Sequence, residues 1–237
     1  MKATRLKGLA LSLPVLLVLV GASAAGASPI VVNGNFNTPT SSLVPWGTQA
    51  NGPQTVTWGP GQYGYQPTNI NGWAFSTFAP GVSGSGIADS GSAFGASTPP
   101  SGASQVAFIQ AVSGSATVSQ TVSGLTAGNE YDLQFSLEGR SSGGAITSVT
   151  IGGVTVLLDV TPSSSGWTSY NEWFTASSTS ELLTFMASPN GAGSDSSTFI
   201  SGVEITPEPG TLMLLGTGLL GLAFVLFRKS KASNRLF

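Results

Sequence analysis

Between residues 29 and 206 apolar and polar positions alternate with a period of two. The clearest stretch is Glu130–Glu138, where Tyr131, Leu133, Phe135 and Leu137 fall on one face and only polar residues on the other, the pattern of a half-buried strand. The same reading predicts strands at 31–36, 73–78, 105–111, 116–122, 148–151, 154–160, 172–176, 182–187 and 199–205, each followed by Gly, Pro, Asn or Ser-rich turn material. No segment of this region offers ten residues at helical period. The expected fold class is therefore all-β, an antiparallel β-sandwich or jelly roll of about ten strands. Residues 80–102, rich in Gly, Ser, Ala and Pro, read as a long surface loop.

The two ends break this pattern. Lys2, Arg5 and Lys7 precede an apolar run, Leu9–Val20, and a small-residue stretch at 21–27, the layout of a secretory signal peptide over 1–28, with cleavage after Ala24 or Ala27 fitting equally well. At the other end, Thr211–Phe227 is an uncharged run of 17 residues followed at once by Arg228, Lys229 and Lys231. At ~1.5 Å per residue it spans roughly 25 Å as a helix, close to one hydrocarbon core. The basic cluster should hold the C-terminus in the cytoplasm and leave the body outside. A buried core helix is the other reading, but no polar face appears at any helical period. The chain thus divides into a signal peptide (1–28), a β-sandwich domain (29–206) and a tail with one transmembrane helix (207–237).

Composition narrows the chemistry. The 237 residues include no His and no Cys, which excludes Ser-His-Asp and Cys-His nucleophilic sites, thiol redox pairs and the usual zinc sites. No Lys lies between Lys7 and Lys229, so Ser-Lys chemistry is closed as well. The net charge of −2 conceals a segregation: from 29 to 206 the single base, Arg140, stands against nine acids. A body of net charge −8 repels phosphate backbones, so nucleic acid is not an expected partner.

Immediately before the apolar run stand Pro207, Glu208, Pro209 and Gly210. This tripartite tail, Pro-Glu-Pro then an apolar span then a basic end, resembles the PEP-CTERM sorting signal of exported bacterial proteins. The resemblance covers about 206–231, including the Gly216-Thr217-Gly218-Leu219-Leu220-Gly221 stretch. It implies recognition by a membrane-embedded exosortase, removal of the tail, and delivery of the body to the cell envelope, surface or exopolysaccharide matrix of a Gram-negative bacterium. Both prolines lack an amide donor and disfavour helix in the residue before them, which keeps the motif extended.

The body resembles the galactose-binding-like jelly-roll modules found in such proteins. The residues that carry this are Val32-Asn33-Gly34-Asn35-Phe36, Gln105–Gln110, Val118-Ser119-Gln120, Leu125–Gly128 with Tyr131, Leu133 and Phe135, and Phe199-Ile200 with Val203. Where that type usually carries acidic residues this chain has Asn37, Ser201 and Gly202, which weakens the transfer of a metal or ligand site with the resemblance.

Sugar recognition on a sandwich needs planar aromatic faces for the apolar side of a pyranose, with polar groups to orient it. Trp58, Tyr63 and Tyr65 in one Gly/Pro-rich stretch, and Trp167 and Tyr170 in a Ser-rich one, are the candidate glycan-binding residues. Their alternative is to fold back and cap the core. Trp73 and Trp173 alternate with strand patterns and are expected inside. Glu130 and Asp132, ~6.6 Å apart at a rise of about 3.3 Å per residue, have the spacing of a glycosidase pair, but both should point away from the core, and like charges on a solvated sheet face are the ordinary explanation. Asp195 could ligate calcium with backbone carbonyls or close a turn on its own backbone. No other cofactor is called for. The expected protein is a non-enzymatic exported component, structural or weakly carbohydrate-binding. Its rivals are a carboxylate-based polysaccharide hydrolase and a protein–protein adhesion module.

Overall fold

The computed structural model describes residues 30–37, 63–67, 70–89, 96–191, 195–208 and 217–224. The expected signal peptide, Trp58 and the basic cluster Arg228, Lys229 and Lys231 lie outside them. Among the described residues the strands are β1 (Tyr63–Tyr65), β2 (Ala74–Phe75), β3 (Ser83–Asp89), β4 (Gln105–Ala111), β5 (Ala116–Ser123), β6 (Glu130–Gly139), β7 (Ile146–Ile151), β8 (Val154–Val160), β9 (Thr168–Thr175), β10 (Ser180–Ser188) and β11 (Ser196–Pro207). Residues 217–224 form a short helix, α1, whose side chains are all exposed. Among the described residues no helix is long and apolar enough to cross a membrane; much of the expected span, 211–227, lies outside them.

Two antiparallel sheets stack face to face, six strands in the order β1-β3-β4-β11-β6-β9 and five in the order β2-β5-β10-β7-β8. The alternation in β6 sends Tyr131, Leu133, Phe135 and Leu137 between them, where they meet Leu183, Phe185, Val149 and Ile151 of the facing sheet in one continuous core. Phe135 meets Phe185 edge to face at 5.2 Å, the geometry aromatic quadrupoles favour.

Three expectations fail for identifiable reasons. Residues 31–36 do not form a strand. Asn33 and Phe36 have φ of 53° and 58°, and the Phe36 N–H donates to the Asn33 carbonyl at 2.9 Å, closing a turn. The place of a ladder partner is taken by a side chain: Gln120 accepts the Val32 N–H at Oε1 (2.7 Å) and donates from Nε2 to the Val32 carbonyl (2.8 Å). The turn buries Phe36 completely, against Trp73 at 4.7 Å. The strand expected at 73–78 shrinks to two residues, beyond which the Ser76 N–H is shared between the Thr117 carbonyl of β5 (3.0 Å) and the Ser85 hydroxyl (2.8 Å).

The third failure is the supposed loop at 80–102, which contains β3, buried over almost its whole length. Its residues are small because three rings press on it. A Cβ at Gly84 would come within 2.7 Å of Phe78 and 2.8 Å of Tyr65, and one at Gly86 would drive into the Gly64 carbonyl and the Phe108 ring. Small residues here mark close packing, not a solvated linker.

Gly86→Ala is expected to lower unfolding free energy by about 1–3 kcal/mol, the cost of overpacking a filled site. A urea titration followed by far-UV circular dichroism reads this as a fall in midpoint at unchanged slope; an unchanged midpoint would show that β1 yields freely.

Candidate functional site

Residues directly opposite one another in a sheet share a face, so the registers define what the six-stranded sheet turns away from the core. Across one row run Tyr65, Gly86, Phe108, Phe199 and Glu138. Toward the other end of β6 the row of Asp132 holds Thr206 of β11 and Trp173 of β9, and the row of Gln134 holds Glu204 and Asn171. One half of this outer face is therefore aromatic and the other polar with a single indole.

The aromatic half is covered. Tyr65, Phe78, Ala88, Ala96, Val106, Phe108 and Phe199 form a second hydrophobic cluster, with Tyr63 and Trp167 packed on it. Tyr65 meets Phe78 at 4.1 Å and Phe108 edge-on at 5.0 Å. Trp167 reaches in and donates Nε1–H to the Ser97 carbonyl (3.2 Å), while Ser97 gives its amide (2.9 Å) and hydroxyl (2.8 Å) to the two oxygens of Glu138. Three of the candidate glycan-binding residues, Tyr63, Tyr65 and Trp167, thus come together, but in a packed cap rather than an open platform. Tyr170 stands apart from them. It lies on β9, not in a loop, and turns inward to stack on Phe135 (5.4 Å, 13° between planes).

Tyr65 anchors a polar chain at the cap's rim. Its hydroxyl donates to Gln110 Oε1, Gln110 Nε2 donates to Asp195, and Arg140 closes the chain with an ion pair to Asp195 at 2.6 Å. Both carboxylate oxygens of Asp195 are engaged in this way, by Arg140 and Gln110, and its carbonyl accepts from Ser142 (3.2 Å). Asp195 thus forms an ion pair with the body's one base. Among the described residues no group of three or more acidic side chains could hold a metal ion. Burial, then the neighbouring Tyr63 and Asp195, pushes the Tyr65 phenol well above its ordinary range; burial and Glu172 raise Tyr170 in the same direction.

The polar half is open and holds two surprises. Trp173, expected inside, is 51% exposed. Its strand neighbours Glu172 and Phe174 pair with Leu133 and Tyr131 and turn inward, so Trp173 must turn out beside Asp132. Asp132, expected on a solvated surface, is only 7% exposed. Its Oδ2 accepts from Gln134 Nε2 (2.6 Å) and Asn171 Nδ2 (3.4 Å), while Oδ1 is buried without a partner. Glu130, two residues before it, is exposed. The glycosidase spacing therefore joins two carboxylates in unlike environments.

Below Trp173 the free edges of the two sheets, β9 and β8, enclose a cleft of about 390 Å³. Trp173, Glu130, Thr175, Thr155, Ser177 and Glu181 are among its lining residues. The signal for Trp173 was in the sequence as an adjacent pair, Trp173-Phe174, of which only one can face the main core; which one is set by pairing with β6.

Residues 206–229 match the PEP-CTERM protein-sorting motif, so the chain carries this sorting signal at its C-terminal end. No curated protein matches the sequence. Among solved structures the chain is similar to the enzymatically active domain of tailspike protein 4 of bacteriophage CBA120 (14% identity, TM-score 0.43), with 59% of this chain and 20% of that one covered. It spans only that fifth of the tailspike. It is also similar to the CBM22-1 xylan-binding domain of Paenibacillus barcinonensis Xyn10C (12%, TM-score 0.41; 59% and 86% covered) and to TmCBM61 in complex with β-1,4-galactotriose (17%, TM-score 0.40; 58% and 90% covered).

The raised Tyr65 phenol has a consequence in alkali. Below pH about 10 both folded and unfolded chains hold the proton; above it the unfolded chain releases it first, so stability falls as pH rises. Tyr65→Phe is expected to cost about 1 kcal/mol at neutral pH through its lost hydrogen bond, and to make stability less steeply dependent on pH above 10. Urea midpoints at pH 7, 10 and 11 check this; parallel curves for the two proteins would show the phenol ionising equally in both states.

Proposed function

We propose that this chain is exported through the inner membrane, held there by its C-terminal span, cut by an exosortase, and delivered to the cell envelope or exopolysaccharide matrix as a non-catalytic, weakly carbohydrate-binding protein. The observation that carries this reading is the sorting motif at 206–229, which follows the body without a spacer. β11 runs through Pro207, and the Glu208 N–H donates to the Glu130 carbonyl at 3.1 Å. The apolar run Thr211–Phe227 ahead of Arg228, Lys229 and Lys231 supports a single span with its basic end in the cytoplasm.

Carbohydrate binding is assigned to the open half of the outer face. Trp173 presents its indole there with no hydrogen bond or ring contact to hold it among the described residues, and the side chains of Thr175, Ser177 and Glu130 stand around the cleft. A flat apolar ring bordered by a few polar groups is what the faces of a pyranose require. Of the two carboxylates with glycosidase spacing, only Glu130 is open to a ligand while Asp132 is buried in the sheet, which supports a binding role over hydrolysis by that pair.

Two measurements test the parts separately. Intact-mass analysis of protein from its host is expected to show loss of both the N-terminal peptide and the tail, and Glu208→Ala to leave the tail attached and the chain in the membrane fraction; a mature mass that still includes Phe237 would overturn processing. In affinity electrophoresis through matrix polysaccharide, retardation is expected, and Trp173→Ala should lose most of it. Retardation undiminished by that change would remove the assigned face.

A further inference from the structure

The cleft below Trp173 has a chemical bias that the reading above leaves open. It is bordered by two carboxylates, Glu130 and Glu181, and by no base. Glu130 is exposed, and its carboxylate makes no ion pair or hydrogen bond among the described residues. Glu181 is buried and spends one oxygen on the β9–β10 turn: Oε1 accepts from the Ser177 hydroxyl (2.8 Å) and from the Ser177 and Ser178 amides. Its Oε2 is directed at Gly152, where an added Cβ would stand 2.7 Å away. Gly152, with φ of 57°, thus leaves that oxygen room at the cleft wall. The body's one base is far from helping, since Arg140 pairs with Asp195 at the rim of the aromatic cap.

An exposed indole beside unneutralised carboxylates attracts cations. The indole face carries the negative end of the ring quadrupole, and it binds ammonium groups as well as the apolar faces of sugars. A neutral sugar would offer Glu130 hydroxyl donors but leave its charge unneutralised; an acidic sugar would be repelled. Resting on the carbohydrate-binding reading, we propose that the ligand of the Trp173 cleft is a glycan bearing free amines, a de-N-acetylated amino-sugar polymer whose pyranose lies on Trp173 with its ammonium toward Glu130 and Glu181. An acetamido group in place of the amine removes the charge and so removes the preference.

The test uses the full chain in detergent and two probes, a β-1,4-linked glucosamine hexamer and its fully N-acetylated form, titrated calorimetrically at low and high salt. The free-amine hexamer is expected to bind about tenfold more tightly at low salt, and the gap to narrow as salt screens the charges. Trp173→Ala should weaken it about tenfold and Glu130→Gln roughly threefold. Asp159→Asn, which removes the same charge from an exposed position of β8 that does not line the cleft, should leave affinity unchanged. Glu130 is exposed, so its variant folds whatever becomes of Trp173→Ala. Equal affinity for the two hexamers would overturn the amine preference while leaving glycan binding in place. Failure to bind either hexamer or any neutral polysaccharide would remove both. Equal weakening by Glu130→Gln and Asp159→Asn would reduce the effect to diffuse attraction by an acidic body and overturn the site.

Discussion

The register of β6 between β11 and β9 is the constraint from which the rest of this structure follows. A strand has only two faces, and a shift of one residue exchanges them. With Tyr131, Leu133, Phe135 and Leu137 turned in to meet the five-stranded sheet, the faces of both neighbours are fixed: Ile205 and Phe174 go in, and Thr206 and Trp173 come out. Burial of four large apolar side chains, each worth about 1.5–3 kcal/mol, outweighs the exposure of one indole. The open half of the outer face is thus a by-product of core formation, available for recognition because the core does not need it.

The other half of that face shows what a sandwich does when both sides of a sheet are apolar. Phe108 and Phe199 point away from the main core, and leaving them in water would present an apolar patch on a secreted body. Tyr65, Phe78 and Trp167 fold over them. The glycines of β3 make this possible, since side chains there would hold the rings away from the sheet. The latch of Ser97 on Glu138 satisfies the one carboxylate buried under the cap, as a buried charge demands.

How much of this was legible in the sequence depended on which signal each residue carried. Strands with a strict period, such as β5, β6 and β10, stand where the pattern puts them, because alternation follows directly from having one buried face. β3 was invisible, since its Gly and Ser positions are dictated by rings from distant segments and look like a linker. Residues 31–36 failed in the opposite sense: Val31 and Phe36 are genuinely buried, but the backbone is satisfied by Gln120 and a turn instead of a ladder, which no local pattern records. Of the candidate aromatics, Tyr63, Tyr65 and Trp167 could be seen to belong to turn-rich stretches, but whether such rings cap or recognise depends on the apolar face beneath them. Trp173 was misplaced for a third reason, that one bit of register decides between it and Phe174.

The position of the cleft within the body ties the two halves of the functional reading together. Glu130 opens β6, and its side chain borders the cleft while its carbonyl receives the Glu208 amide. The chain therefore leaves the folded body one hydrogen bond from the cleft, at the first residues of the sorting motif. On the proposed reading, a tail held in the bilayer would keep that end of the sandwich close to the membrane surface, where polymers outside the cell meet it last. Cutting the tail would free the same end, and no linker separates the two events, because Pro207 is still part of β11. On the proposed reading, sorting and recognition are coupled by this geometry alone: the body presents its binding end to the matrix only once it has been released from the membrane.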